Sequence, residues 1–192
     1  SQQMMTSTHV ISRYLKQHYE GKSVYVVGTP SLIQEFQYFG INVTEEDPDI
    51  VVLGFDTTLT YEKLSKACHY IRNGCIYFGI NPDWNCPMEG GAFIPDCGSI
   101  AKLIEASTGR FPEFFGKPSK HTLDYIIQKT GYEPDEIAIV GDRMYTDIAV
   151  ADQSDVMSIL VLSGESTRED VKTSDVKPNV ILEDLSEITK ML

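Results

Sequence analysis

The chain has 192 residues, of which 42% are hydrophobic and 23% are charged, and it contains 14 glycines and 9 prolines. This composition is typical of a folded globular protein and excludes a collagen-like or low-complexity chain. The formal net charge of -12 at pH 7 repels phosphate backbones and anionic lipid surfaces, so we expect neither nucleic acid nor membranes as partners. The sequence starts without a basic stretch followed by an apolar run, and no run of about 18 apolar residues occurs anywhere. We therefore expect a cytoplasmic protein.

Residues 1–80 alternate between helical periodicity and short apolar runs. The predicted helices are 8–19, 31–39 and 61–72, and the predicted strands are 24–28, 50–54 and 75–79. Pro30 suits the first turn of the second helix, and Gly21, Gly40 and Gly74 are typical helix ends. This alternation predicts a parallel sheet covered by helices.

The stretch 81–98 interrupts this pattern, because it has many turn-forming residues and no sustained periodicity. It predicts a long loop or a short irregular hairpin. The later predicted elements are a helix at 99–106, a short strand at 114–115, a helix at 119–129, a strand at 137–140, a helix start at 147–151, a strand at 157–162, an apolar run at 180–182 and a last helix from 185. A domain change is expected near residues 109–114.

The segment 137–148 carries the most informative pattern, an apolar strand that ends in Gly141 and Asp142 and is followed by Asp147. Gly141 permits a sharp turn at the carboxyl end of the strand, where open α/β sheets bind their ligands. Two carboxylates in one small volume repel each other unless a cation lies between them, and hard oxygen ligands suit Mg²⁺. The alternative is structural, with Asp142 in a turn and Asp147 as a helix cap. The pattern alone leaves both interpretations open.

A second motif, Gly-Lys-Pro at 116–118, follows an apolar pair and precedes a helix one βα unit upstream of Asp142. In a parallel sheet this order brings Lys117 to the same edge, where a lysine neutralises a phosphate and the carboxylates around a metal. Taken alone, the motif favours a surface lysine in a loop stiffened by proline. Together, Lys117, Asp142 and Asp147 favour phosphate chemistry.

Several segments of the chain resemble one family in the same order. Residues 116–118 and 140–148 resemble the third and fourth motifs of haloacid dehalogenase (HAD)-type phosphatases, specifically the NagD-like, p-nitrophenyl phosphatase-like branch with a class II cap. Residues 51–61, 81–83 and 161–167 also resemble segments of that branch. The resemblance therefore covers nearly the whole chain.

The resemblance implies an α/β architecture with two parts. One part is the C-terminal half of a Rossmann-like HAD core, which we place at residues 111–192. The other is an inserted α/β cap domain, which takes up most of residues 1–110. A homodimer built through βα units of the cap is compatible with each of the functions considered.

The resemblance also implies a reaction, the Mg²⁺-dependent hydrolysis of a small phosphomonoester through an aspartyl-phosphate. The substrate class is a sugar phosphate, a nucleotide or a similar phosphorylated metabolite, selected by the cap. In such enzymes Asp142 would be a metal ligand, Asp147 would ligate or orient, and Lys117 would hold the phosphate and the nucleophile. Asn81 and Asp83 are the candidate substrate-binding residues, although a plain structural turn explains either of them equally well.

Two motifs of the family do not occur in the chain, the nucleophile motif Asp-x-Asp-Gly-Thr and the Thr or Ser that follows another strand. Asp56 follows an apolar strand, but Thr58 stands where the second aspartate belongs, so we interpret Asp56 as a cap residue. Residues 6–8 (Thr-Ser-Thr) lack a preceding buried strand and resemble the entrance to the cap. We therefore expect the nucleophile upstream of Ser1 and no catalysis by the 192 residues alone. The alternative function is a non-catalytic fragment or pseudoenzyme that binds a ligand or a partner.

Overall fold

A computed structural model describes residues 3–152 and 154–190. The chain forms two compact units, Ser1–Gly116 and Lys117–Leu192. The strand Glu113–Phe114 pairs with a strand of the first unit, so the residues up to Gly116 belong to that unit.

The first unit is built on a five-stranded parallel sheet and a small antiparallel hairpin. Its strands are β1 (Ser23–Val27), β2 (Asn42–Val43), β3 (Ile50–Leu53), β4 (Ile76–Gly79), β5 (Asn85–Pro87), β6 (Phe93–Pro95) and β7 (Glu113–Phe114). The sheet has the order β2-β1-β3-β4-β7, and all of its neighbouring strands run parallel. The hairpin of β5 and β6 confirms the irregular hairpin that the turn-rich stretch predicts.

Four helices accompany this sheet. They are α1 (Ser7–His18), α2 (Pro30–Tyr38), α3 (Tyr61–Arg72) and α4 (Cys97–Thr108). Each begins behind a side-chain cap, provided in turn by Thr6, Thr29, Thr60 and Asp96. The sheet's central strands are apolar on both faces, and every residue of β3 is buried. The predicted parallel α/β arrangement of this unit is therefore confirmed.

The second unit contains a three-stranded parallel sheet in the order β10-β9-β8. Its elements are α5 (Lys120–Thr130), β8 (Ala138–Gly141), β9 (Met157–Val161), α6 (Arg168–Thr173) and β10 (Val180–Leu182), with 3₁₀ turns at Pro134–Glu136 and Leu185–Lys190. Leu123, Ile126 and Ile127 of α5 pack against a small core around Ile137 and Val156.

The helix predicted from residue 147 is replaced by a π-turn, Met144–Ile148, which runs into a 3₁₀ turn, Ala149–Ala151. In the π-turn the Ile148 N–H donates to the Arg143 carbonyl at 3.1 Å, five residues back along the chain. Asp147 therefore lies inside the turn and not at a helix start. Neither β2 nor α6 was predicted.

The described α-helices have at most 12 residues. Within the described part of the chain, none has the length and apolar character needed to cross a bilayer.

Candidate functional site

The site in the second unit begins with an ion pair between Lys117 and Asp147, in which the lysine Nζ donates to the Asp147 Oδ1. The other oxygen of Asp147, Oδ2, accepts the Arg143 backbone N–H at 3.1 Å. The Asp147 side chain is only 9% exposed, whereas that of Lys117 is 49% exposed. Asp147 thus holds the lysine in place, and half of the lysine side chain stays accessible to a ligand.

Gly141 explains how Asp147 reaches the end of β8. A Cβ added at Gly141 would lie 2.2 Å from the Asp147 Cβ, a distance that real side chains do not adopt. Only glycine therefore lets the π-turn fold back onto the strand. π-turns of this kind occur frequently at functional sites, because they redirect side chains that a regular helix would turn elsewhere.

Asp142 follows β8 directly, and the loop 164–166 fixes its position. The Glu165 N–H donates to the Asp142 Oδ2 at 2.9 Å, and the Ser166 N–H donates to the Asp142 backbone carbonyl at 3.0 Å. A Cβ at Gly164 would lie 2.1 Å from the Asp142 Oδ2, so the close approach requires glycine here too. Among the described residues, no donor binds the Asp142 Oδ1.

This single available oxygen fits a hard divalent cation. Mg²⁺ is usually held by one or two carboxylates, with waters and substrate phosphate oxygens as its other ligands. Within residues 3–152 and 154–190, no three His, Cys, Asp or Glu side chains come together as a metal cage. Asp142 therefore suits a metal that takes its remaining ligands from solvent, substrate or another carboxylate. Asp147 has both oxygens engaged, which favours the orienting role over direct ligation.

Sequence reasoning missed the residues that connect the π-turn to the loop 164–166. The Arg143 Nε lies 2.6 Å from the Glu165 Oε2, and the Tyr145 hydroxyl donates to the Glu165 Oε1 at 3.1 Å. The Met144 N–H donates to the Ser166 Oγ at 3.1 Å. The segment 161–167 resembled the family, but nothing in it indicated contact with residues about twenty positions upstream.

Asn81 and Asp83 lie in the first unit, between β4 and the hairpin. The Asn81 Nδ2 donates to the Asp83 Oδ2 at 2.7 Å and to the Asp96 Oδ1 at 3.2 Å. Asp96 in turn caps α4 by accepting the Cys97 N–H. These bonds tie the loop to the start of α4 and favour the structural interpretation of Asn81. A substrate contact by either residue stays a prediction.

Asp56, at the carboxyl end of β3, has a fully buried side chain. Its Oδ2 lies 2.7 Å from the Lys63 Nζ, and its Oδ1 accepts the backbone N–H and the hydroxyl of Thr58 at 2.8 and 2.7 Å. A nucleophile needs a carboxylate oxygen that a phosphorus atom reaches, and this carboxylate is enclosed by its partners. The geometry agrees with a structural role for Asp56.

The comparisons with known proteins extend over both units. The HAD-hydrolase-like family model matches residues 114–188. Ribonucleotide monophosphatase NagD of Escherichia coli (strain K12) is 34% identical over 183 residues, which cover 95% of this chain and 71% of the relative. Acid sugar phosphatase of Staphylococcus aureus (strain MRSA252) is 35% identical over 187 residues, 97% of this chain and 72% of the relative.

Solved structures of phosphatases also match nearly the whole chain. A 4-nitrophenylphosphatase from Thermotoga maritima superposes with a TM-score of 0.91 at 42% sequence identity, and the match covers 97% of this chain and 71% of that one. A p-nitrophenyl phosphatase from Archaeoglobus fulgidus gives a TM-score of 0.92 at 26% identity, with 100% and 75% covered. The fold is thus the Rossmann-like α/β fold of these hydrolases. The chain belongs to the HAD family of hydrolases, in the NagD-like branch of its phosphatases.

Proposed function

We propose that this protein hydrolyses small phosphomonoesters, and that Lys117 and Asp142 take part in the reaction. The observation that carries the proposal is that an accessible lysine pairs with the buried Asp147, whose side chain packs against Gly141, and that the next residue, Asp142, has one oxygen without a donor among the described residues. The relatives named above are phosphatases of nucleotides, of sugar phosphates and of 4-nitrophenyl phosphate. The substrate would thus be a small phosphorylated metabolite of the cytoplasm.

Each residue of the site would have a distinct role. The Lys117 ammonium would neutralise the phosphate oxygens, and Asp147 would orient that ammonium through its Oδ1. Asp142 would hold Mg²⁺ through its Oδ1, because its Oδ2 is already bonded to the Glu165 N–H. When bound, Mg²⁺ supplies positive charge that offsets the charge of the transferring phosphoryl group.

The nucleophilic aspartate would come from outside these 192 residues, on a strand that pairs with β8. In the described part of the chain β8 pairs only with β9, on one side. The backbone N–H and C=O groups on its other side have no partner strand among the described residues, and its alternate side chains Ala138 and Val140 are exposed on one face. Such an edge suits a further strand. A parallel strand placed there would end beside Asp142, because parallel strands share one carboxyl edge.

The reaction would then proceed in two steps. The nucleophilic carboxylate oxygen would bond to phosphorus while the bond to the alcohol oxygen breaks, and the departing alkoxide would take a proton from water. Water next attacks the aspartyl-phosphate, which restores the carboxylate and releases inorganic phosphate. Both steps develop negative charge on the phosphoryl oxygens, next to the position of Lys117.

The test compares Asp142→Asn with Asp175→Asn in the full-length protein. Asp175 is an exposed aspartate of the same unit. We expect Asp142→Asn to lower Mg²⁺-dependent turnover of p-nitrophenyl phosphate by at least about 100-fold, the range of other metal-ligand and transition-state contacts. Asp175→Asn should retain wild-type turnover, and both variants should keep the wild-type unfolding temperature. Wild-type turnover in Asp142→Asn would reject the proposed role of Asp142.

The same assay distinguishes the proposed hydrolysis from the alternative function, that of a binding protein without catalysis. If the full-length wild-type protein binds Mg²⁺ and phosphate but turns over no phosphomonoester, the proposed function is wrong and the alternative replaces it.

A further inference from the structure

The loop 164–166 contains one residue, Glu165, whose backbone and side chain bind different parts of the segment that follows β8. Its backbone N–H donates to the Asp142 Oδ2 at 2.9 Å. Its side chain points to the π-turn, where the Oε2 lies 2.6 Å from the Arg143 Nε and the Oε1 accepts the Tyr145 hydroxyl at 3.1 Å. The mechanism proposed above uses Asp142 but gives the Glu165 side chain no role.

The Glu165 carboxylate is not available as a metal ligand, because each of its oxygens already accepts a donor. The Arg143 guanidinium stays charged, and its bonds to a carboxylate are stronger than those between neutral groups. The Arg143 side chain is 22% exposed and that of Glu165 is 46% exposed. The ion pair therefore holds the glutamate in one orientation, and any effect of this side chain on a metal has to pass through Asp142.

Gly164 explains why the orientation of Glu165 needs side-chain contacts. A Cβ at Gly164 would lie 2.1 Å from the Asp142 Oδ2, so this position requires glycine. Glycine has the greatest backbone freedom of all residues, and here it directly precedes the peptide N–H that binds Asp142. The bonds from Arg143 and Tyr145 restrict that freedom. They keep the Glu165 N–H directed at the Asp142 Oδ2, so that the Oδ1 stays available.

Ser166 fixes the main chain of the same loop by separate bonds. Its N–H donates to the Asp142 carbonyl at 3.0 Å, and its Oγ accepts the Met144 N–H at 3.1 Å. Ser166 is 7% exposed, so these bonds are shielded from water. They do not involve the Glu165 side chain. Removing that side chain should therefore leave the path of the loop intact and release only the Asp142 carboxylate.

We propose that Glu165 is a positioning residue, which orients the Asp142 carboxylate for Mg²⁺ while Arg143 and Tyr145 hold its side chain. The assignment rests on the proposed function, in which Asp142 binds the metal. Glu165 then contributes to the affinity for Mg²⁺ without touching the ion or the substrate. Loss of a group that orients a metal ligand typically weakens metal binding by about 10- to 100-fold.

Calorimetric titration of the full-length protein with Mg²⁺ tests the proposal in a double-mutant cycle. We expect Glu165→Ala and Arg143→Met each to weaken binding about 10-fold. The double variant should bind no more weakly than the weaker single variant, because both changes break the same ion pair. Additive effects, which give a double variant about 100-fold weaker than the wild type, would overturn the proposal.

The matched control is Glu136→Ala, at an exposed glutamate before the start of β8. The Glu136 Oε2 accepts the Glu133 N–H at 2.9 Å, so this variant also loses a glutamate that binds a backbone N–H. It should bind Mg²⁺ as the wild type does.

A purely structural role of Glu165 predicts different kinetics. For Glu165→Ala we expect the wild-type unfolding temperature and a Mg²⁺ concentration for half-maximal turnover of p-nitrophenyl phosphate that is about 10-fold higher. Turnover at saturating Mg²⁺ should stay within about 2-fold of the wild type. Low turnover at every Mg²⁺ concentration would contradict a positioning role.

Glu165→Gln decides the question if Glu165→Ala unfolds at a lower temperature. Glutamine has nearly the same size and still accepts the Tyr145 hydroxyl, but it lacks the charge that pairs with Arg143. We expect Mg²⁺ binding about 3-fold weaker than in the wild type. Wild-type affinity in this variant would overturn the proposal.

Titration of Asp142→Asn keeps this result separate from the proposed function. If Asp142→Asn loses Mg²⁺ binding and Glu165→Ala does not weaken it, Glu165 is not a positioning residue and the proposed function stands. If Glu165→Ala weakens binding as expected but the wild type turns over no phosphomonoester, only the phosphatase proposal fails. If Asp142→Asn binds Mg²⁺ like the wild type, both proposals fail.

Discussion

Each unit of the chain contains a lysine paired with an aspartate near the end of a parallel strand, and the two pairs differ in accessibility. In the first unit Asp56 is fully buried, and Lys63 is 25% exposed and also donates to the Gly28 carbonyl at 2.9 Å. In the second unit Asp147 is nearly buried, but Lys117 is 49% exposed and has no described acceptor other than Asp147.

The difference shows that residue type and strand position do not by themselves identify a reactive pair. Lys63 also donates to the hydroxyl and the carbonyl of Thr58, so its ammonium is fully used within the protein. Lys117 keeps donor capacity for a ligand. We therefore expect the Lys63 pair to affect stability and the Lys117 pair to affect activity.

The largest expected effect is on activity. Lys117→Met removes the charge that would face the phosphate, and we expect kcat/KM for p-nitrophenyl phosphate to fall about 1,000-fold. The free energy of unfolding should fall by less than it does when the fully buried Asp56 loses its lysine, because the Asp147 side chain is 9% exposed and water reaches the site through the half-exposed lysine position. The control is Lys120→Met, at an exposed lysine three residues away. If Lys117→Met and Lys120→Met were equally active, the Lys117 pair would have no special role in activity, and the expected difference from the Lys63 pair would be wrong.

The next effect is on stability. Lys63→Met leaves the buried Asp56 carboxylate without its cation, and we expect the free energy of unfolding to fall by about 3 kcal/mol. Urea unfolding followed by circular dichroism measures this loss. The double variant Lys63→Met/Asp56→Leu should recover most of it, since no unpaired charge remains. If Lys63→Met alone were as stable as the wild type, the Lys63–Asp56 ion pair would not stabilise the protein.

A smaller effect concerns the loop that positions Asp142. Gly164→Ala introduces a Cβ that would overlap the Asp142 Oδ2, so the carboxylate has to move. We expect the affinity for Mg²⁺ to weaken about 10-fold, as for other changes next to a metal ligand. Calorimetric titration of the full-length protein measures the affinity, with Ser163→Ala as the neighbouring control. Unchanged affinity would mean that Asp142 does not hold the metal.

The smallest effect is a pH dependence confined to the first unit. A hydrogen bond from Lys22, together with bonds from the backbone and hydroxyl of Ser23, lowers the pKa of Asp49 to about 2 from an ordinary 3.8. A lowered folded-state pKa stabilises the protein above the unfolded pKa, and this stabilisation is lost as the pH falls from about 4 to about 2. Asp49→Asn should show a shallower loss of stability over that interval. Identical pH profiles of the two proteins would contradict the assignment.

Sequence reasoning was most successful where local pattern and burial agree. The fully buried β3 reads as a continuous apolar run, and α3 has the predicted bounds because Thr60 caps its start and Asn73-Gly74 follows its end. It failed for β2, which has two residues and depends on pairing with β1. It also overlooked α6, although Thr167 and Asp170 form a capping box that was visible in the sequence.

The sequence likewise predicted one part of the candidate site and not another. The order of the motifs predicted that Lys117, Asp142 and Asp147 belong to one edge of the sheet, and the structure pairs the first with the third. The contact of Asp142 with Gly164 was not predictable, because it joins distant segments through the pairing of β8 with β9.

Because of the π-turn Met144–Ile148, we expect a deletion between Asp142 and Asp147 to disrupt the site. Loss of one residue between Asp142 and Asp147 would convert the turn to ordinary helical spacing and rotate the second carboxylate by about 100°, away from Lys117. Exposed loops elsewhere in the chain absorb such length changes. Within this segment, length variation is therefore expected to inactivate the protein as effectively as loss of either aspartate.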